Sequence, residues 1–167
     1  MVQTVTILGS TGSIGENTLD LIRRDAEGAW QVVALTAHTN VAYLAQQAIE
    51  FKAKFVAIAD ESKAGELRQR LSGHAIDIGA GPEGLVEAAR QNADFTMSAI
   101  VGAAGLEPTL AAVDRGARIG LANKECLVCA GDLFMQRVAA SGAILLPVAR
   151  EYSGQSGRNE AETRALG

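Results

Sequence analysis

The first twenty residues constrain the fold more than any other stretch, because an apolar strand pattern leads directly into a turn with three evenly spaced glycines. Gly9, Gly12 and Gly15 separate the strand from a helix pattern. In a dinucleotide pyrophosphate site, the first glycine permits a tight turn, the second lets backbone approach the phosphates, and the third lets the helix close on the strand. The G-x-x-G-x-x-G spacing differs from the commoner G-x-G-x-x-G, so an ordinary glycine-rich loop is the alternative.

Strand and helix patterns alternate along the chain, with apolar residues recurring at every second position or at helical spacing. The predicted strands are residues 4–8, 31–35, 55–58, 76–78, 95–100, 118–122 and 144–148. The predicted helices are residues 13–24, 40–51, 63–71, 82–91, 108–115 and 126–139. Seven strands joined by short connections predict an α/β fold, a Rossmann-like doubly wound sheet that is mostly parallel.

The chain length of 167 residues fits one globular domain. We predict that residues 1–148 form this domain. Residues 149–167 differ in composition, since they are rich in Gly, Ser, Glu and Arg and show no strand pattern. They are predicted to be a divergent polar tail.

Charge and hydropathy narrow the range of partners. The net charge of -4 and the lack of a lysine or arginine block argue against a nucleic-acid surface. A membrane span would need about 20 consecutive apolar residues, and the chain contains no such run. The charge pattern predicts a small-molecule ligand rather than a nucleic acid. The N-terminus enters a strand without a basic leader, which predicts a cytoplasmic setting.

Cys126 and Cys129 are the two cysteines of the chain. Their C-x-x-C spacing could indicate a redox or zinc site, but no second pair accompanies them. They lie within an apolar helical pattern, so both are predicted to be small buried residues.

Polar and glycine-rich segments follow several predicted strands, and the carboxyl ends of parallel strands share one crevice. After the second strand, NAD sites usually place a carboxylate that binds the ribose hydroxyls. Here the loop reads Thr-Ala-His-Thr-Asn at residues 36–40, with no acid to repel a 2'-phosphate. The loop therefore favours NADP. His38 and His74 are not predicted to be catalytic bases, because an isolated histidine is more often a surface residue.

Two further segments reach the same crevice. Residues 99–105 are small and apolar, which suits either close approach to a cofactor or close helix packing. Asn123, Lys124 and Glu125 end a strand and open a helix. They are either a helix cap followed by solvated charges or a crevice group whose lysine holds an anionic substrate.

Three segments together resemble the 1-deoxy-D-xylulose 5-phosphate (DXP) reductoisomerase family. They are residues 9–15 (Gly-Ser-Thr-Gly-Ser-Ile-Gly), 99–106 (Ala-Ile-Val-Gly-Ala-Ala-Gly-Leu) and 121–125 (Leu-Ala-Asn-Lys-Glu). The resemblance covers about residues 2–148 and corresponds to the N-terminal NADPH-binding domain, less than half of a usual family member. It implies an oxidoreductase and isomerase of the non-mevalonate isoprenoid pathway, which forms 2-C-methyl-D-erythritol 4-phosphate with NADPH and Mg²⁺ or Mn²⁺. It also implies a homodimer for the full-length enzyme.

The resemblance assigns site residues position by position. The residues expected at the cofactor phosphates are Thr11, Gly12, Ser13 and Ile14. Those expected at the adenosine end are His38, Thr39 and Asn40. Asn123 and Glu125 are expected on the nicotinamide side, and Lys124 is expected to bind the phosphate substrate.

Two departures from the family pattern affect these expectations. Thr39 stands where the family often has a basic residue, which softens the expected clamp on the 2'-phosphate. After residue 148 the family continues Asp-Ser-Glu-His, whereas this chain reads Ala149, Arg150, Glu151, Tyr152. Glu151 alone falls in register as a weak metal ligand, and its partner Asp is absent. This change suggests a truncated or otherwise altered reading frame, so the chain is predicted to bind cofactor without turnover.

Two other functions remain open from the sequence. A different NADP-dependent dehydrogenase would need a catalytic cysteine or a Tyr-x-x-x-Lys pair, and neither is suitably placed. A non-catalytic NADP-sensing module would bind the cofactor and act through a partner.

Overall fold

Seven strands and six α-helices alternate along residues 1–148, the part of the chain that the computed structural model describes. The strands are β1 (Gln3–Leu8), β2 (Trp30–Ala37), β3 (Phe55–Ile58), β4 (Asp77–Ala80), β5 (Phe95–Ser98), β6 (Arg118–Leu121) and β7 (Ile144–Pro147). The helices are α1 (Ser13–Arg24), α2 (Val41–Glu50), α3 (Ala64–Arg70), α4 (Gly81–Arg90), α5 (Leu106–Asp114) and α6 (Glu125–Ser141). The predicted polar tail, residues 149–167, lies outside the described residues.

The strands form one sheet in the order β4-β3-β2-β1-β5-β6-β7, and each neighbouring pair is parallel. The chain winds outward from β1 to β4, returns through α4 to β5, and then winds outward on the other side. The doubly wound fold is thus confirmed, with a sheet that is parallel throughout the described residues. Strand order reverses between β1 and β5, where such sheets open a ligand crevice.

The central strands are buried on both faces, as expected when helices cover both sides of a parallel sheet. All four residues of β3 are buried, and so are the last six of β2. One apolar cluster includes Ile7, Leu35 and Leu44, and a second includes Leu8, Ile119 and Phe134. The adjacent residues Ile7 and Leu8 thus contribute to opposite faces of the sheet.

Several helix boundaries have a local cause in the sequence. The Asn40 side chain accepts a 3.2 Å hydrogen bond from the Tyr43 amide and caps α2. Gly116 and Gly142 adopt positive φ directly after α5 and α6, a conformation that favours glycine. Asp60 caps a 3₁₀ turn, Glu61–Lys63, that precedes α3.

One predicted strand is too long. The apolar pattern predicted a strand to residue 100, but β5 ends at Ser98 and a loop leads to a 3₁₀ turn, Ala103–Gly105. The carbonyl oxygens of Ile100 and Gly102 accept hydrogen bonds from a side chain rather than from a neighbouring strand. An apolar sequence therefore forms an open loop at the crevice.

The prediction that both cysteines are buried is correct for Cys126 and wrong for Cys129, which is exposed. Helix α6 buries only Cys126 and Phe134 among its residues, and Val128 is 83% exposed. The helix packs chiefly against α5 and the 3₁₀ turn Ala103–Gly105, so only a narrow stripe of it is buried. The apolar helix sequence predicted more burial than the structure shows.

Within residues 1–148, no helix has both the length and the apolar character needed to cross a membrane.

Candidate cofactor-binding site

The glycine turn, residues 9–15, joins β1 to α1 at the crevice. Gly9 has φ +85°, and a Cβ there would lie 2.9 Å from the Ala99 carbonyl oxygen. A Cβ on Gly15 would overlap the backbone of Gly9 and Ser10. The tight turn predicted for Gly9 and the close helix approach predicted for Gly15 are therefore both confirmed.

Gly12 differs from Gly9 and Gly15, because neither the backbone conformation nor the packing of the chain requires a glycine at this position. Its φ of -84° is accessible to any residue. A Cβ there would meet one atom, the Gly9 carbonyl oxygen, at an ordinary contact distance of 3.6 Å. Gly12 is exposed and lines the crevice, so glycine adds no side chain there.

The start of α1 presents its positive end to this space. Gly12 is the N-cap, and its carbonyl oxygen accepts a 2.8 Å hydrogen bond from the Glu16 amide. The positive end of the helix dipole attracts anions at this position. The nearby predicted phosphate contacts are Thr11 and Ile14, both half-buried, and Ser13, which is exposed.

A buried polar network supports the turn from behind. The Gly9 amide donates to the Thr36 hydroxyl at 2.8 Å, and the Ser10 amide donates to the Thr36 carbonyl oxygen at 2.8 Å. Gln47 of α2 bonds Ser10 twice, with its Oε1 2.8 Å from the serine hydroxyl and its Nε2 3.0 Å from the serine carbonyl oxygen. Sequence reasoning missed Gln47. The available signal was its helical spacing, since Gln47 lies three residues after Leu44 and next to Ala48 on the apolar side of α2.

The β2 loop, residues 38–40, follows β2 and lies at the crevice next to the glycine turn. His38 and Thr39 are exposed, while Asn40 caps α2. Asp60, at the end of β3, lies beside this loop, since its amide donates to the His38 carbonyl oxygen at 3.0 Å. Hydrogen bonds from the Ser62 hydroxyl and amide lower the pKa of the Asp60 carboxyl. The β2 loop lacks an acid of its own, but a neighbouring strand supplies one nearby.

The β5 loop, residues 99–105, forms the opposite wall. A Cβ on Gly105 would lie 2.8 Å from both the Asn123 amide nitrogen and the Ile100 carbonyl oxygen, so close packing explains this glycine. Gly102 has φ +77° and open space around it. Ile100, Val101 and Ala104 line the crevice. Two interpretations were left open for this loop. Close packing explains Gly105, and the residues that line the crevice are compatible with close approach to a cofactor.

Asn123 is 3% exposed and fixes the β5 loop. Its Nδ2 donates to the carbonyl oxygens of Ile100 at 2.5 Å and Gly102 at 3.0 Å, and its Oδ1 accepts from the Glu125 amide at 2.9 Å. Lys124 and Glu125 are exposed where α6 begins. The predicted nicotinamide and substrate contacts of these three residues stay predictions.

A cavity of about 320 Å³ connects the glycine turn, the ends of β2 and β3, and the β5 loop. It is lined by Gly9, Thr11, Gly12, Thr36, Ala37, His38, Ala59, Leu85, Ala99, Ile100, Val101 and Ala104. A larger cleft of about 500 Å³ borders Gln3, Trp30 and Arg118, at the amino ends of the strands. The smaller cavity coincides with the switch point between β1 and β5, where ligands bind in this fold.

Among residues 1–148, no three His, Cys, Asp or Glu side chains are grouped closely enough to hold a metal ion. The weak metal ligand predicted at Glu151 lies outside the described residues. Burial raises the pKa of the Cys126 thiol, which keeps it protonated and unsuited to metal binding. The described residues therefore do not by themselves fit a divalent cation.

Comparisons with known proteins agree with this geometry. A family model described as 1-deoxy-D-xylulose 5-phosphate reductoisomerase matches residues 5–131. The reductoisomerase of Rhodopseudomonas palustris strain BisB18 is 57% identical over 152 residues, which cover 91% of this chain and 37% of the relative. That of Nitrobacter hamburgensis is 52% identical over 170 residues, covering 99% of this chain and 42% of the relative. The chain thus spans about two fifths of the length of these relatives.

Solved structures match the same fold. The Zymomonas mobilis reductoisomerase in complex with NADPH superposes with a TM-score of 0.86 at 50% identity, covering 89% of this chain and 39% of that one. A reductoisomerase in complex with NADPH, fosmidomycin and magnesium gives a TM-score of 0.83 at 42% identity, covering 87% and 36%. Enzymes of this family thus bind NADPH and magnesium. The family match and these relatives show that the chain belongs to the 1-deoxy-D-xylulose 5-phosphate reductoisomerase family.

Proposed function

We propose that residues 1–148 are the NADPH-binding domain of a DXP reductoisomerase and that this chain binds NADPH. The space at Gly12 carries the proposal. Gly9 and Gly15 are explained by contacts within the chain, whereas a Cβ on Gly12 would meet a single atom at 3.6 Å, and Gly12 lines the cavity. A glycine that the fold does not need, at the N-terminus of α1, fits a site that a phosphate must approach closely.

The chain's own residues would hold the cofactor by its phosphates and adenosine. The first-turn amides of α1, near Thr11, Gly12, Ser13 and Ile14, would bind the pyrophosphate. His38, Thr39 and Asn40 would contact the adenosine end. The small side chains of the β5 loop leave room for a flat ring, and Asn123 keeps that loop in place. Bound NADPH would supply a hydride.

Preference for the 2'-phosphate rests on the β2 loop. An NAD site usually has a carboxylate at this position, which would repel a phosphate. Here the loop offers His38, Thr39 and Asn40 instead. Asp60 lies one strand away, and its carboxylate accepts hydrogen bonds from Ser62 within its own 3₁₀ turn.

The remaining functions are proposed from family membership. Lys124, exposed where α6 begins, would bind the anionic substrate DXP. The full-length enzyme would convert DXP to 2-C-methyl-D-erythritol 4-phosphate with Mg²⁺ or Mn²⁺ in the cytoplasm, as a homodimer. This chain would bind NADPH without turnover, because position 149 holds Ala where the family has Asp.

Isothermal titration of the purified chain with NADPH and with NADH tests the proposal. We expect NADPH to bind at least tenfold more tightly than NADH. Equal affinities would remove the assigned preference for the 2'-phosphate. Absence of binding by either cofactor, in a chain with cooperative thermal unfolding, would contradict the cofactor site itself.

A further inference from the structure

The carboxamide of Gln47 and the Ser10 backbone and hydroxyl form a reciprocal pair. Gln47 Oε1 lies 2.8 Å from Ser10 Oγ, and Gln47 Nε2 donates to the Ser10 carbonyl oxygen at 3.0 Å. The serine hydroxyl has one proton, and the shorter of its two possible bonds goes to Gln47 rather than to the Thr36 carbonyl oxygen at 3.2 Å. Both ends of the carboxamide are therefore used on one residue of the glycine turn.

This pair is fully enclosed. Ser10 has no exposed surface, and Gln47 is 3% exposed. A buried hydrogen bond that loses one partner leaves the other unsatisfied, at a cost far above that of a surface bond. The conformation of the glycine turn at Ser10 is thus held from behind by α2, on the side opposite the crevice.

Helix α2 also begins at the other end of the site. Its N-cap is Asn40, the last residue of the β2 loop, and Gln47 follows two helical turns later. One rigid helix therefore carries both the β2 loop and the side chain that fixes the glycine turn. The contact between Gln47 and Ser10 adds a link through α2 to the bonds that the Gly9 and Ser10 amides donate to Thr36.

We propose that Gln47 is a positioning residue, which holds the glycine turn in the shape that receives the cofactor pyrophosphate. The inference rests on the proposed NADPH binding and adds a residue that touches no part of the cofactor. The competing explanation is a polar pair that stabilises the core and has no specific effect on the pyrophosphate. The two explanations differ in whether loss of Gln47 weakens binding of the pyrophosphate specifically.

The test uses the full chain and two ligands. NADPH contacts the glycine turn and the β2 loop, whereas adenosine 2'-monophosphate carries no 5'-phosphate and reaches only the β2 loop. We expect Gln47→Met, which keeps the length of the side chain, to raise the Kd for NADPH about tenfold, or about 1.4 kcal/mol. The Kd for adenosine 2'-monophosphate, measured by NMR titration, should stay within about twofold.

Gln46→Met is the matched control, because Gln46 is the exposed neighbour on the same helix and should bind both ligands as the wild type does. Equal losses for both ligands in Gln47→Met, or no loss for NADPH, would overturn the inference. Should Gln47→Met not fold, Ser10→Ala removes the serine hydroxyl from the same pair. It should likewise weaken NADPH more than adenosine 2'-monophosphate, and a loss shared equally by the two ligands would contradict the inference.

A measurement without cofactor separates this inference from the proposed function. Hydrogen exchange of the Gly12 amide, which donates to the Gly9 carbonyl oxygen at 3.3 Å, reports the order of the turn in the free chain. We expect faster exchange in Gln47→Met than in Gln46→Met. If the wild type bound no NADPH, the proposed function would fail, and unchanged exchange would separately show that Gln47 does not hold the turn.

Discussion

The backbone amide of Gly9 donates a 2.8 Å hydrogen bond to the side-chain hydroxyl of Thr36, which links the glycine turn to the end of β2. Thr36 is 1% exposed, so water cannot replace this acceptor. We expect Thr36→Val, which keeps the shape and loses the hydroxyl, to lower the free energy of unfolding by about 1–3 kcal/mol. Urea unfolding measures the change.

Thr36→Ser is the matched control, because it retains the hydroxyl and loses one methyl group. It should be more stable than Thr36→Val. If the two variants had the same unfolding midpoint, the hydrogen bond to Gly9 would contribute nothing measurable to the stability of the fold.

Gly12 and Gly15 are predicted to respond to substitution in opposite ways. Gly12→Val should fold, since a Cβ there meets one atom at 3.6 Å, but its branched side chain should weaken NADPH and NADH at least tenfold by occupying the phosphate space. Gly15→Ala should destabilise the fold, because its Cβ would overlap the backbone of Gly9 and Ser10. Thermal unfolding and titration of both variants check this. Normal cofactor binding by a folded Gly12→Val would place the phosphates elsewhere.

Much of this arrangement could be predicted from the sequence. The strand at residues 55–58 has the predicted bounds because a short apolar run marks it, and the helix at 13–24 has them because the glycine turn precedes it. The positive φ of Gly9 and the close approach of Gly15 to Gly9 and Ser10 both arise within this short turn. Such signals depend on residues that are close together in the sequence, so the sequence alone reveals them.

The parts that could not be predicted depend on tertiary contacts. The end of β5 at Ser98 is set by Asn123, which lies more than twenty residues later and bonds the following loop. Gln47 contacts Ser10 across 37 positions. Helix α6 packs chiefly against α5 and buries only Cys126 and Phe134, so Cys129 is exposed. Spacing in the sequence carries no information on these distant partners.

The contact between Asp94 and Thr4 predicts a pH dependence of stability. Asp94 Oδ2 accepts bonds from the Thr4 amide at 2.9 Å and hydroxyl at 2.8 Å, and these bonds lower the pKa of the carboxyl from its ordinary 3.8. A lowered pKa in the folded state stabilises the fold above the unfolded pKa. This contribution is lost as the pH falls through the folded pKa.

We therefore expect Asp94→Asn to lower the urea midpoint at about pH 7 and the gap from the wild type to narrow as the pH approaches about 3. Asp132→Asn, on the exposed face of α6, is the control for loss of a surface charge. A gap that stayed constant between these pH values would mean that ionisation of Asp94 does not contribute to the folded state.

Lys124 is predicted to act on the substrate and not on the cofactor. Lys124→Ala should leave the Kd for NADPH within about threefold, or about 0.6 kcal/mol, and should abolish any affinity of the chain for DXP. Lys54→Ala is a suitable control, since Lys54 is exposed just before β3, at the amino ends of the strands and away from the crevice. A large loss of NADPH affinity in a folded Lys124→Ala variant would reassign Lys124 to the cofactor.

The chain is predicted not to turn over DXP, even with NADPH and Mg²⁺ or Mn²⁺ supplied. A hard divalent cation needs several oxygen ligands held together, commonly one or two carboxylates completed by substrate and water. Position 149 holds Ala where the resemblance to the family implies a metal-binding Asp, and residues 1–148 contain no group of three His, Cys, Asp or Glu side chains that could hold a metal ion. The chain also spans about two fifths of its relatives, so the walls that exclude water from the reacting atoms in a complete enzyme have no counterpart within the described residues.

The measurement is NADPH absorbance over time with DXP and metal, using a full-length relative as the active control. Titration of the same sample with NADPH establishes that the binding site is intact. Metal-dependent oxidation above background, abolished by Lys124→Ala, would contradict the prediction and show that the two fifths of the enzyme present here suffice for chemistry.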